Sequence, residues 1–156
     1  MAAYNRQAAV AYAQQWALRR NPRYLNFDEM GGDCTNFISQ CLYAGCNEMN
    51  YTPDMGWYYR SSYDRAAAWT GVMYLHQFLT EPHQPGPSAS ETTREALAIG
   101  DVIQLGHAGG TFYHSLLVVS IVGETIHIAA HSDDYWMRDL DTYRYDQARF
   151  LHIADA

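Results

Sequence analysis

Apolar residues recur at helical spacing in the first half of this 156-residue chain and at strand spacing in the second. An aromatic residue or alanine at every fourth position predicts a first helix from about Tyr4 to Arg20. A second helix is predicted from Cys34 to about Ala44, because its apolar positions fall three, four, seven and eight residues after its first residue. A short third helix is expected over 72–79. The pattern therefore places the helices before the strands.

Four strands are predicted in the second half, over 102–105, 114–121, 125–130 and 148–153. The proline-containing stretch 81–90 is interpreted as a loop within the domain, because turn residues dominate it. The second and third strands form a hairpin whose two-residue turn is either Val122-Gly123 or Gly123-Glu124.

Pairing the apolar faces of this hairpin predicts which histidine lies near which polar residue. Alternation puts His114 on the same face as His127, His131 and Asp133, since a slip of one residue would reverse an entire face. The first turn sets His114 opposite His131, and the second sets it opposite Asp133. Either register brings a base and a polar partner to the same end of the hairpin.

The segment around Cys34 predicts a reactive thiol. Gly31-Gly32 allows the chain to turn, and Asp33 is expected to cap the helix by accepting hydrogen bonds from its first N–H groups. Cys34 then stands at the positive end of the helix dipole, which favours thiolate. Cys41 falls on the buried face of this helix and is interpreted as a core residue. Cys46 follows Gly45, the expected helix stop.

Composition narrows the class of protein. A length of 156 residues predicts one domain over 1–156. A net charge of -7 without a basic cluster argues against nucleic acid and anionic membrane surfaces as partners. No apolar run is long enough to span a bilayer and the N-terminus lacks the pattern of a signal peptide, so the chain as given is expected to be soluble. All ten basic residues are arginine, which excludes lysine-dependent phosphate binding and Schiff-base chemistry.

No cofactor is predicted. A zinc site built from His114, His127 and His131 is ranked well below a cysteine nucleophile, because neither an HExxH helix nor a CxxC pair accompanies it. The aromatic segment around Trp57, Tyr58, Tyr59 and Trp69 could form a substrate wall or simply cover the core.

Several segments carry a resemblance to a known family. The order Asp-Cys-Thr-x-Phe-Ile, then Gly-Asp before a strand, then a strand-initial histidine, resembles the NlpC/P60 and CHAP papain-like hydrolases. The segments 4–9, 33–45 and 56–59 look more closely like the bacterial putative amidase domain family. The resemblance implies an α+β papain-like fold, with N-terminal helices packed on a C-terminal antiparallel sheet. It also implies Cys34 as nucleophile, His114 as base and acid, and His131 as the third residue, with Asp133 as an alternative.

The function that follows is cysteine-dependent hydrolysis of amide bonds, with bacterial cell-wall peptides as the substrate that the resemblance implies. Two alternatives remain open from the residues: an acyl or peptidyl transferase on the same Cys/His pair, and a non-catalytic carbohydrate- or peptide-binding module. Localisation and oligomeric state are left undecided by the sequence, and a cell-wall location would require an export signal outside this chain.

Overall fold

The first half of the chain forms helices and the second half a six-stranded sheet, in a computed structural model that describes residues 3–155. The helices are α1 (Arg6–Trp16), α2 (Cys34–Cys46), α3 (Ala67–Thr70) and α4 (Val72–Thr80). A small hairpin, β1 (Tyr59–Ser61) and β2 (Asp64–Arg65), lies between α2 and α3. The strands of the large sheet are β3 (Ala89–Thr92), β4 (Val102–Gly106), β5 (Phe112–Val122), β6 (Thr125–Ala130), β7 (Tyr135–Asp139) and β8 (Gln147–Ile153).

The large sheet is antiparallel throughout, in the order β3-β8-β4-β5-β6-β7. One face packs against the helices in a cluster that includes Phe37, Leu117 and Leu151. The other face carries a second cluster, which includes Leu116 and Ile128 and is covered in part by short 3-10 turns. Because both faces are apolar, both are buried and the protein has an α+β fold with a two-sided sheet.

The hairpin of β5 and β6 contains a β-bulge that the sequence did not predict. Its turn is Gly123-Glu124, since Val122 pairs with Thr125. The pairing slips by one residue at Val119, so that beyond it Val118 pairs with Ile128. The predicted pairing of the two apolar faces is therefore wrong beyond the bulge, because an extra residue in one strand reverses its faces relative to its partner.

The remaining boundaries are close to prediction, with physical reasons for the exceptions. The first helix ends at Trp16 rather than Arg20. Gly45 lies inside α2 rather than ending it, because a β-carbon there would collide with the ring of Tyr4. The helix ends at Cys46, and the next residue, Asn47, forms the cap with a left-handed φ of 56°. The four predicted strands are confirmed as β4, β5, β6 and β8, whereas β3 and β7 were not predicted.

Buried polar residues fix the orientation of α2. Thr35, Asn36, Ser39 and Gln40 are all nearly inaccessible to solvent, although the helix has an apolar stripe as well. Each hydrogen-bonds a different part of the molecule, in the pairs Thr35–Ser115, Asn36–Trp69, Ser39–Trp57 and Gln40–Tyr12. Because a buried polar group without a partner is costly, these bonds allow one rotation of the helix about its axis. Among the described residues, no helix is both long and apolar enough to cross a bilayer.

Candidate active site

Cys34 is the first residue of α2 and lies where that helix meets a free edge of β5. Pairing between β5 and β6 stops at Leu117 and Ala129, so the preceding part of β5, residues 112–116, has no partner on β6. The Thr35 hydroxyl contacts the Ser115 hydroxyl at 3.1 Å across this gap. Because β5 extends past the end of its pairing with β6, the start of α2 can pack against the unpaired part of β5.

A cavity of about 390 Å³ opens beside Cys34. Its walls come from the glycine loop before α2, from β4 and β5, from the turn after β6, and from β7 and the segment that follows it. Four of the lining residues have side chains suited to catalysis or ionic binding: Cys34, His114, Asp133 and Arg138. The structure therefore brings the first two predicted site residues to one cavity.

Burial of Cys34 works against the thiolate form that the helix terminus favours. Only 8% of the residue is exposed, and this burial raises the pKa of its thiol. Hydrogen bonds from the Ser115 backbone and from Thr35 act in the opposite direction, while the nearby Asp33 charge raises the pKa further. Desolvation outweighs the stabilisation from the helix terminus, so attack by the sulfur requires a base.

Asp33 does not cap α2 through its side chain, which corrects the sequence-based expectation. Its carboxylate is fully buried and accepts hydrogen bonds from the Phe27 backbone N–H and the Asn36 amide, each at 2.9 Å. The carboxylate is therefore directed toward the preceding loop. The first-turn N–H groups of α2 are left without a bond from this side chain.

His114 lies on the face of the sheet opposite to His127 and His131, so the expectation of a shared face is wrong. His114 pairs with Leu105, which belongs to the cluster on the face away from the helices. The bulge at Val119 is the reason, because without it His114 would lie opposite Asp133 and share the face of His131.

The surroundings of His114 keep its ring neutral. Burial lowers the pKa of His114 to about 4, the Arg138 guanidinium lowers it further, and Asp133 opposes that effect. Its ring lies 5.9 Å from the ring of Tyr143, measured between centroids. Within residues 3–155, no hydrogen bond to the His114 ring is present. A neutral imidazole with unoccupied nitrogens can accept a proton.

His131 does not orient His114, which corrects its predicted role. Its Nδ1 donates to the Asp33 carboxylate at 2.6 Å, and its Nε2 lies 2.8 Å from the Trp16 carbonyl oxygen and 3.2 Å from Arg20 Nη1. The ring also stacks on Phe37 with centroids 4.0 Å apart and is 1% exposed. Because both nitrogens are occupied, His131 connects α1 to the residue preceding Cys34.

An ionic network extends from this pair to the turn after β6. Arg20 lies 3.4 Å from the Asp33 carboxylate and also pairs with Asp28 and Asp134. The Ser132 hydroxyl accepts from the Asp33 backbone N–H at 3.1 Å and donates to Asp28. The network therefore holds together the loop before Cys34 and the turn that carries Asp133.

Asp133, Arg138 and Tyr143 complete the cavity. Asp133 was noticed in the sequence as an alternative third residue, and its charge does act on His114. Arg138 and Tyr143 were missed because β7 was missed. The signal for that strand was available in Tyr135-Trp136, since aromatic residues favour strands.

The other candidate residues lie elsewhere. Trp57 and Trp69 are fully buried and donate their indole N–H groups to α2, so they are core residues rather than an open substrate wall. Cys41 is fully buried, as predicted, and burial raises the pKa of Cys46 to about 11. In the described part of the chain, no group of three His, Cys, Asp or Glu side chains could hold a metal ion.

Sequence similarity assigns the chain to a known family. Residues 3–154 match the sequence profile of the putative amidase domain family, and the chain belongs to that family. The family name points to amide hydrolysis. The resemblance found in the sequence is thereby confirmed at the level of this family.

Two curated relatives come from Bacillus subtilis (strain 168). "Uncharacterized protein YhbB" is 34% identical over 163 residues, covering 97% of this chain and 51% of its own length. "Uncharacterized protein YjcM" is 27% identical over 137 residues, covering 83% of this chain and 31% of its own length. The chain therefore spans about half or less of these relatives. No solved structure matches the chain significantly.

Proposed function

We propose that the protein is a cysteine-dependent amidase, with Cys34 as nucleophile and His114 as general base and acid. The observation that carries this proposal is that both side chains line one cavity, in a chain of an amidase family. Asp133 is the third residue in the proposal, because it lines the same cavity and its charge favours a protonated His114.

The reaction begins with a neutral pair. A ring nitrogen of His114 accepts the Cys34 thiol proton as the sulfur attacks the amide carbonyl carbon. The tetrahedral intermediate collapses with cleavage of the C–N bond, and His114 returns that proton to the leaving amine. Water then attacks the thioester, giving one proton to His114, and the carboxylic acid product leaves as sulfur regains that proton.

The start of α2 supplies a donor for the negative oxygen of the intermediate. The Cys34 backbone N–H belongs to the first turn of the helix, where no side-chain cap is formed. An N–H group at a helix terminus stabilises an oxyanion because its dipole is fixed before the reaction. Turning the Asp33 carboxylate away from this turn also keeps a like charge from competing with the oxyanion.

We further propose a papain-like fold related to NlpC/P60 hydrolases and a substrate among bacterial cell-wall peptides. Support for the fold comes from the chain order of a helix-initial cysteine followed by a strand histidine, on helices packed against an antiparallel sheet. Support for the substrate is the motif resemblance alone.

The test is release of new amino groups from purified peptidoglycan and from a panel of N-acyl peptides. Wild-type protein is expected to release them, Cys34→Ala is expected to release none, and Cys46→Ala serves as the matched cysteine control at the other end of α2. Cleavage that persists in Cys34→Ala contradicts the mechanism. Cleavage of peptides with intact peptidoglycan left untouched removes the cell-wall role and keeps the mechanism.

A further inference from the structure

Arg138 lines the cavity and carries a charge that the proposed hydrolysis does not use. Its guanidinium lines the cavity with Cys34 and His114. Within residues 3–155, no carboxylate lies within ion-pairing distance of Arg138, although Asp133 lines the same cavity. A half-buried guanidinium stays charged at any working pH, so it presents an uncompensated cation to whatever enters.

The Arg138 side chain is held rigidly. Its Nε donates to the Thr142 hydroxyl at 2.7 Å and its Nη2 donates to the Thr142 carbonyl at 3.0 Å. The guanidinium carbon lies 3.7 Å from the ring centroid of Tyr143 and 4.2 Å from that of Tyr135. Hydrogen bonds to Thr142 on one edge, the rings of Tyr143 and Tyr135, and the nearby Tyr143 hydroxyl together fix the guanidinium at the cavity wall. Such preorganisation lowers the entropy lost on binding a ligand.

A second β-bulge builds this arrangement. In β7, the pairing with β6 shifts between Arg138, opposite Ile128, and Tyr135, opposite Ala130. Met137 within the shift has a φ of 62°. Residues three apart on a regular strand point to opposite faces, but the extra residue puts Tyr135 and Arg138 on the same face. His114 shares that face because of the bulge in β5.

We propose that Arg138 binds a carboxylate of the substrate, so that the preferred substrates are amides bearing a carboxylate beside the scissile bond. This inference rests on the proposed function for its link to catalysis. A planar guanidinium matches a carboxylate in geometry as well as in charge. Asp133, on another part of the cavity wall, restricts the site to ligands whose negative charge is placed at Arg138.

Binding a carboxylate there would also act on the base. Arg138 lowers the pKa of His114 in the free protein, and an anion paired with Arg138 cancels part of that effect. The bound substrate would thus make His114 a stronger base when the thiol has to be deprotonated. A neutral substrate would not produce this change.

The first test compares two alkylating reagents that differ in charge. In both reactions the Cys34 sulfur forms a bond to the reagent's methylene carbon, iodide leaves, and the thiol proton passes to His114. Iodoacetate carries a carboxylate, iodoacetamide is neutral, and each rate is divided by the rate with free cysteine. We expect the normalised iodoacetate-to-iodoacetamide ratio to fall by roughly tenfold or more in Arg138→Gln.

Arg144→Gln is the matched control, because it removes the same charge from an exposed residue outside the cavity. An unchanged ratio in Arg144→Gln supports a specific site. An equal loss in both variants, or a wild-type ratio no higher than that of Arg138→Gln, overturns the proposal.

A second test needs neither turnover nor a reactive sulfur. N-acetylglycine and N-acetylglycinamide are titrated into Cys34→Ser while the His114 ring resonances are followed by NMR against pH. N-acetylglycine is expected to raise the pKa of His114, and Arg138→Gln is expected to abolish that shift. If both ligands act alike, the carboxylate site is refuted while the proposed hydrolase is untouched. Failure of peptide hydrolysis with this shift present would refute the hydrolase and keep the site.

Discussion

His114 and His131 lie seventeen positions apart on one hairpin, yet their surroundings are opposite. His131 is 1% exposed and both its nitrogens are occupied, by the Asp33 carboxylate and the Trp16 carbonyl. His114 faces the cavity of Cys34, and its ring has no hydrogen bond from the described residues. A fully hydrogen-bonded histidine such as His131 stabilises structure, whereas a histidine such as His114, which lines a cavity and whose ring makes no hydrogen bond to a described residue, remains available for chemistry.

The largest expected effect is on turnover. His114→Gln should reduce kcat by roughly 10²–10⁴-fold, because His114 is the one imidazole among the described residues that line the cavity of Cys34. The melting temperature should change little, since His114 makes no hydrogen bond that Gln would lose. Steady-state hydrolysis together with thermal unfolding checks both parts. Activity within a factor of three of wild type would refute the Cys/His pair.

The next largest effect is on stability, which should depend on His131 rather than on His114. His131→Gln should lower the free energy of unfolding by about 3–5 kcal/mol, because the buried Asp33 charge loses its closest partner. His127→Gln is the matched control on β6, where about 1 kcal/mol or less is expected. Chemical denaturation measures all three proteins. Equal losses of unfolding free energy in the two variants would show that the His131–Asp33 hydrogen bond does not stabilise the protein more than the contacts of His127 do.

A double-mutant cycle separates the pair from its surroundings. Asp33→Asn combined with His131→Gln should cost less than the sum of the single changes, because each single change strands the other partner. Additive losses would contradict direct coupling between the two side chains. The kcat that remains in each folded variant of the cycle would measure how much the Asp33–His131 hydrogen bond contributes to positioning Cys34.

Acid should destabilise the protein in part through His114. The pKa of His114 is lowered to about 4, below its ordinary value near 6.5. Between these two pH values, the unfolded chain binds a proton that the folded protein does not bind. The contribution of His114 to stability is therefore complete above about pH 6.5 and is lost as the pH falls toward 4. Over that interval, wild type should lose about 1–3 kcal/mol more than His114→Gln.

Urea denaturation at a series of pH values measures this difference, and parallel curves for the two proteins would contradict it. Activity provides a second reading, because the acid limb of kcat/KM should lie near pH 4 in wild type. Arg138→Gln should move that limb to higher pH, since the Arg138 charge is what adds to the effect of burial.

The smallest effect concerns the third residue. Asp133→Asn should lower kcat by about tenfold, because an exposed charge near His114 contributes on the order of 1 kcal/mol to stabilising its protonated form. Asp134→Asn is the matched control, since Asp134 pairs with Arg20 and does not line the cavity. If Asp134→Asn impairs kcat more than Asp133→Asn, the assignment of the third residue fails.

Much of the fold could be predicted from spacing alone, because it depends on local patterns. The apolar stripe of α2 and the alternating apolar residues of β4, β5 and β6 can be recognised from consecutive residues of the sequence. Cys34 and His114 could be chosen as candidates for the same reason, because each lies at the start of an element predicted from local pattern, and both line one cavity. The strand β7 escaped prediction because Met137 interrupts its alternation with a left-handed φ.

Which polar residue shares the cavity with Cys34 and His114 could not be predicted, because it depends on strand register. The hydrophobic pattern is compatible with either His131 or Asp133 opposite His114. It contains no signal for the extra residue at Val119. Both faces of β5 are apolar, so hydrophobicity does not mark where the strand changes face. The role of Asp33 was missed similarly: a helix-preceding aspartate suggests a cap, and only the folded chain brings His131 to it.

The bulge at Val119 gives insertions and deletions an unusual weight in this family. Deleting that single residue would leave the cysteine, the histidine and the aspartate in the sequence, yet would turn His114 toward the helices and away from the cavity. A relative with all three residues aligned and a one-position gap in this strand would therefore be expected to place its histidine on the other face of the sheet. The number of residues between Gly123 and the histidine thus predicts which face of the sheet the histidine occupies.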